Sequence, residues 1–161
     1  MTNLKFLKLR ITIPDWFIIN YYSSGQLKEL LVKATEMLQL FPNSPTLYSL
    51  CGASNAGLRQ FNLAIENYKR AITIKPDFSE AYVNMGNVLK AQGNIDKALS
   101  NYGRAIKIKP DFFEAYINMG NAQRTKGDLE AAISSYEQAI KINPRYVDVY
   151  INLGNALKAK G

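Results

Sequence analysis

The sequence predicts an all-α solenoid of stacked helix pairs, and three observations carry that prediction. Prolines recur at a constant interval of thirty-four residues, at Pro42, Pro76, Pro110 and Pro144. Tyrosines keep step at Tyr48, Tyr82, Tyr116 and Tyr150, and glycines at Gly52, Gly86, Gly120 and Gly154. Between the prolines, apolar residues return at i, i+3 and i+4, the spacing of one helix face. A period of this length marks one supersecondary unit stacked on copies of itself.

Taken in order, residues 1–13 find no place in the repeat: LKLRITI alternates like a strand, yet no partner strand exists. Residues 14–44 form a degenerate capping unit, PDWFIINYYSSG followed by QLKELLVKATEMLQLFP, which keeps the length, Gly25 and Pro42. Three fuller units follow at 45–78, 79–112 and 113–146, and 147–161 supplies the first helix of another. The count is four units plus a terminal helix, nine helices in all.

Within the unit 79–112, Ala81, Tyr82, Met85, Gly86 and Leu89 make the inner stripe of a first helix. The preceding DFSE, and DFFE one period later, place Asp77 and Asp111 as expected N-caps with an acid three residues on. Gly93 and Gly127 mark the turn to a second helix. Arg59 stands at that place in the earlier unit, which predicts a strained or differently closed turn. The second helix sets Ala98, Leu99, Tyr102, Ala105 and Ile106 inward. Lys107 and Lys109 suit its C-terminal dipole, and Pro110 stops it.

This pattern resembles the tetratricopeptide repeat (TPR) family, with Tyr where the family more often has Trp near the start of each unit. The resemblance is strong from Thr46 to Gly161. It implies a right-handed superhelix of antiparallel helix pairs whose first helices line a concave groove where partner proteins bind. Carried onto this chain, that face bears an acidic row of Glu80, Glu114 and Asp148. Two amide rows follow, Asn84, Asn118 and Asn152, then Asn87, Asn121 and Asn155. A basic row closes it, Lys90, Arg124 and Lys158. In the unit 45–78 the amides give way to Leu50 and Ala53.

An asparagine amide both donates and accepts, so a ladder of them suits the peptide units of an extended chain. The arrangement is similar to the asparagine ladder in the TPR region of O-linked N-acetylglucosamine transferases, which holds substrate polypeptides. Such repeats also precede glycosyltransferase and sulfotransferase domains. In ordinary TPR sequences the same amides face water or tie neighbouring helices together. The carboxylate clamp of chaperone-binding TPR domains does not fit, because Ser49, Val83 and the acidic row stand where it wants cations.

Composition narrows the function. The chain has 161 residues, 47% apolar and 20% charged, which is globular rather than disordered. With no histidine and one cysteine it offers no zinc cluster, no internal disulfide and no histidine base. Cys51 falls where Met85, Met119 and Leu153 stand, which predicts a buried apolar role. No apolar run reaches the ~20 residues that span a bilayer. Lys5, Lys8 and Arg10 break the apolar core that a secretory signal needs, so the expected location is cytoplasmic. The net charge of +7 raises nucleic acid as a partner. Glu66, Asp96, Glu130 and Glu137 interrupt the basic residues of the second helices, so no continuous stripe forms. The tyrosine rows lie on the inward stripe and are core, not a stacking platform.

The expectation is a non-catalytic protein-interaction module without cofactor or metal, binding an extended peptide or partner protein in its groove. Two alternatives stand beside it: the substrate-recruiting part of a larger glycosyltransferase or sulfotransferase, and a nucleic-acid binder. Tyr150, Leu153 and Leu157 lack their usual cover, so the C-terminal helix is expected to self-associate weakly if at all.

Overall fold

The computed structural model describes residues 26–161. Its helices, in order, are α1 (Leu27–Leu40), α2 (Pro45–Gly57), α3 (Phe61–Ile74), α4 (Ser79–Ala91), α5 (Ile95–Ile108), α6 (Phe113–Lys126), α7 (Leu129–Ile142) and α8 (Val147–Lys160). No strand occurs among the described residues. Residues 1–13, and the first helix expected between 14 and 25, lie outside them.

Each second helix folds back on its first, so α2 packs with α3, α4 with α5 and α6 with α7. It then packs against the first helix of the next unit, joining α3 to α4, α5 to α6 and α7 to α8. The first helices α2, α4, α6 and α8 also touch in series, which makes one face from consecutive units. The fold is an all-α solenoid.

The tightest contact in each unit is a glycine against a ring. A Cβ on Gly52, Gly86 or Gly120 would lie 2.8, 2.5 or 2.6 Å from Cε1 of Tyr68, Tyr102 or Tyr136. No side chain fits there, so the ring fills the notch that glycine leaves. The three tyrosines are at most 2% exposed, and burial of so large a side chain contributes roughly 1.5–3 kcal/mol. Ala64, Ala98 and Ala132, with Ala71, Ala105 and Ala139, are fully buried beside them. The alanine rows let the helices approach, and the tyrosine rows fill what remains.

The turns from first to second helix close alike. Asn94 N–H donates to the Leu89 carbonyl and Asp128 N–H to that of Gln123, at 2.9 and 3.0 Å. Gly93 and Gly127 take φ of 78° and 90° to allow it. Arg59 is forced to φ 59° to make the corresponding bond, Gln60 N–H to the Asn55 carbonyl at 2.8 Å. The turn is strained, not differently closed.

The expected caps are corrected. Helices α4 and α6 are preceded by Phe78 and Phe112 at the N-cap, and no side chain caps either. Asp77 and Asp111 sit one residue too early to reach the free N–H groups. Side-chain caps occur at Ser44, which accepts from Leu47 N–H at 3.4 Å, and at Asp128, which accepts from Ala131 N–H at 3.1 Å. Phe78 and Phe112 instead tuck partly into the core, each under a lysine ammonium, Lys75 at 5.0 Å and Lys109 at 4.8 Å from the ring centre.

Cys51 is 2% exposed in the apolar cluster of α1 and α2, as its register predicts. Burial pushes its thiol up, with the Thr35 hydroxyl opposing. Two polar atoms nearby are less comfortable. Ser54 Oγ and Asn55 Oδ1 are buried on α2 without a hydrogen-bond partner among the described residues. Val88, Ala122 and Ala156 occupy the place of Ser54 in later units.

Candidate functional site

Helical geometry places Glu80, Asn84, Asn87 and Lys90 at successive steps of four, three and three residues along one stripe of α4. Glu114, Asn118, Asn121 and Arg124 repeat it on α6, and Asp148, Asn152, Asn155 and Lys158 on α8. Each helix thus runs from a carboxylate near its N-terminus to a cation near its C-terminus, a sense its dipole favours.

The face is recessed between α4 and α6. A cleft of about 630 Å³ there is lined by Glu80, Asn84, Asn87, Glu114 and Asn118. Val83, Phe112 and Phe113 give it an apolar floor, and Lys109 and Asp111 close one side. A second cleft of about 440 Å³ lies between α2 and α4 and shares Asn84 and Asn87. Its other wall is Ala53, Ala56, Gly57 and Phe61, apolar where the first is polar. Asp148, Asn152, Asn155 and Lys158 continue the stripe on α8 but do not line these two clefts.

The two amide rows differ in what they touch. Asn84, Asn118 and Asn152 are half-buried and make no side-chain hydrogen bond to the described residues. Asn87 and Asn121 are engaged: Oδ1 of each accepts from the hydroxyl of Tyr102 or Tyr136 at 2.8 Å. These bonds tie α4 to α5 and α6 to α7. Asn155 is exposed on α8. The sequence register located both rows but not the hydroxyl partners. The signal was there, since a tyrosine follows each of these asparagines by fifteen residues. Phe112 and Phe113 beside the cleft had no part in the groove expected from the register.

Electrostatics separate the edges of the face. The Glu80 carboxylate accepts from the Ser79 hydroxyl at 3.0 Å and is otherwise open to solvent. At the far edge, burial lowers the Lys90 ammonium below its ordinary value, and the Arg124 charge lowers it further. Burial pushes the Tyr102 phenol far up. It raises Tyr136 too, with the nearby Arg124 guanidinium opposing. The ion pairs found among the described residues lie elsewhere, Lys33 with Glu29 at 3.2 Å, Lys126 with Asp96 at 2.7 Å and Lys160 with Glu130 at 3.5 Å, all open to solvent.

No group of His, Cys, Asp and Glu side chains among the described residues is placed to hold a metal ion. No described helix is long and apolar enough to cross a membrane.

Comparison with known proteins agrees with this architecture. The chain is 35% identical over 77 residues to a probable UDP-N-acetylglucosamine–peptide N-acetylglucosaminyltransferase of Arabidopsis thaliana, 48% of this chain and 8% of the enzyme. It therefore spans only a small part of that relative's length. Among solved structures, MamA superposes with a TM-score of 0.79 at 24% identity, covering 88% of this chain and 83% of its own. The TPR protein TTC0263 of Thermus thermophilus gives 0.80 at 20% identity, covering 88% and 78%. At such identities the likeness is one of fold. A family model described as a TPR repeat matches residues 60–93, 86–125 and 120–161, more than half of the chain. The chain belongs to the TPR repeat family, whose fold is typical of protein-interaction modules.

Proposed function

We propose that this protein is a non-catalytic interaction module that holds an extended segment of a partner protein along the amide rows of its first helices. One observation carries the reading. Asn84 and Asn118 share a recessed cleft, half-buried, with amides that no described residue uses. Both amides are therefore left to water in the cleft, and a peptide group of a bound segment can take that water's place without breaking a bond inside the protein.

The geometry suits a peptide backbone. Packed helices stand roughly 8–10 Å apart and an extended chain advances roughly 3.3 Å per residue, so rungs meet a ligand about every third residue. Glu80, Glu114 and Asp148 along the acidic edge favour basic or hydroxyl-bearing side chains there. Three amides offering two hydrogen bonds each contribute roughly 3–9 kcal/mol net. Association costs roughly 4–15 kcal/mol, so these rungs alone leave at most about 5 kcal/mol, a Kd of roughly a few tenths of a millimolar. The exposed Tyr150, Ile151 and Leu157 on α8 add weak self-association to the proposal.

A second reading rests on the similarity to the N-acetylglucosaminyltransferase: the repeats recruit substrate polypeptide for a glycosyl-transferring domain in the same protein. Both readings give the groove one task. The test is the triple variant Asn84→Ala, Asn118→Ala, Asn152→Ala, titrated against a panel of extended Ser/Thr/Lys peptides. Affinity is expected to fall across unrelated peptides while helicity is retained. Unchanged binding by a folded variant contradicts the reading, and unfolding assigns the amides to helix packing.

A further inference from the structure

We propose that Tyr102 and Tyr136 are positioning residues that hold the Asn87 and Asn121 amides with their NH2 groups toward the groove, making that row a donor-only rail for carboxylate side chains of the bound segment. The inference rests on the groove reading above and gives the groove a chemical direction across its width.

The lock begins in the core. Both rings are fully buried and seated in the glycine notches of Gly86 and Gly120, so the hydroxyl positions are fixed by packing. Each hydroxyl meets the amide oxygen at 2.8 Å. Turning an amide over would replace this bond with an N–H2 facing the hydroxyl, which is possible only if the phenol oxygen accepts. At Tyr136 the nearby Arg124 guanidinium, which can only donate, favours a phenol whose oxygen faces it and whose proton goes to Asn121 Oδ1. The Nδ2 groups of Asn87 and Asn121 have no acceptor among the described residues. Asn87 brings its NH2 to both clefts, and Asn121 repeats the position one unit on, outside their lining.

One turn further along each helix stand Lys90 and Arg124, again donors only. Neither belongs to the ion pairs formed among the described residues, which join Lys33 to Glu29, Lys126 to Asp96 and Lys160 to Glu130. Two cations close enough to repel, one of them half-buried, and both without a counter-charge there favour the arrival of an anion. Asn87 and Asn121 therefore lie between an amide row that can donate or accept and a cationic row that can only donate. On the opposite edge Glu80 and Glu114 only accept. A segment that fits carries acidic side chains toward the C-terminal ends of the first helices and basic or hydroxyl side chains toward their N-terminal ends.

The experiment compares two labelled extended peptides, a Thr-Glu repeat and its Thr-Gln counterpart, by fluorescence anisotropy. Charged acceptors bind donors more strongly than neutral ones, so the wild type is expected to favour the Glu peptide by about tenfold. In Tyr102→Phe/Tyr136→Phe the rings still fill their notches, while the amides are free to turn. The preference is then expected to fall to about twofold with helicity unchanged. In Asn87→Asp/Asn121→Asp the preference is expected to reverse. A folded Tyr-to-Phe variant that keeps the full preference overturns the lock, as does an Asp variant that still favours Glu. If the wild type binds neither peptide, the carboxylate rail fails and with it this use of the groove. The lock itself is read independently by NMR: the side-chain NH2 resonances of Asn87 and Asn121 must shift when the tyrosine hydroxyls are removed, and their failure to do so overturns it.

Discussion

The unit 45–78 and the two units that follow it share one core and differ on one face. Gly52 meets Tyr68 as Gly86 meets Tyr102 and Gly120 meets Tyr136. Yet Leu50 and Ala53 stand in the earlier unit where the later ones carry asparagines, and Leu50 is buried. The Tyr68 ring keeps its place against Gly52 beside Ala53, so seating the ring does not itself require an asparagine at that position. The glycine–tyrosine contact thus belongs to the fold, whereas the proposal above assigns the amides to what lies in the groove.

The comparison breaks hardest at the glycines. A methyl at Gly120 must displace the Tyr136 ring, so Gly120→Ala is expected to cost roughly 1–3 kcal/mol by denaturant unfolding. Gly154 occupies the same repeat position, but nothing lies within 4 Å of its Cβ direction. Gly154→Ala is therefore expected to stabilise by roughly 0.5–1 kcal/mol through helix propensity alone. The same substitution at the same register has opposite signs because a tyrosine ring lies against one position and nothing lies against the other.

A smaller effect sharpens the contrast within α2. Ser54 carries a buried hydroxyl with no partner among the described residues, where Ala122 and Ala156 serve later units. Ser54→Ala is expected to raise stability by about 1 kcal/mol, since it removes an unsatisfied group from a fully buried place. A loss of stability in the same unfolding assay would show that the hydroxyl has a partner in solution. The smallest effect is at the turn. Arg59→Gly relieves the left-handed backbone at a cost in unfolded-chain entropy, for a net gain of about 0.5 kcal/mol. It should appear as a slightly higher melting temperature with unchanged helicity.

These positions also show what the sequence could and could not reveal. Period and register were legible because every unit must bury the same stripe against the same neighbours, so Ala98, Tyr102 and Gly86 have to recur. The strain at Arg59 followed from the absence of glycine where two later units have it. Helix caps were not legible, since a shift of one residue takes Asp77 from capping to spectator and periodicity does not fix boundaries that finely. The pairing of Asn87 with Tyr102 was hidden for a different reason. Both recur, but a repeat displays which residues return together without saying which of them touch.

The most direct test of the central claim is the response of the side-chain amide resonances to an extended Ser/Thr/Lys peptide, followed by two-dimensional NMR. Asn84 and Asn118 are expected to shift first and furthest, with Asn152 following as the peptide extends over α8. Residues on the outer side between α3 and α5, such as Asn101, should stay in place. Shifts confined to that outer side, with the Asn84 and Asn118 amides unmoved at saturation, would contradict it.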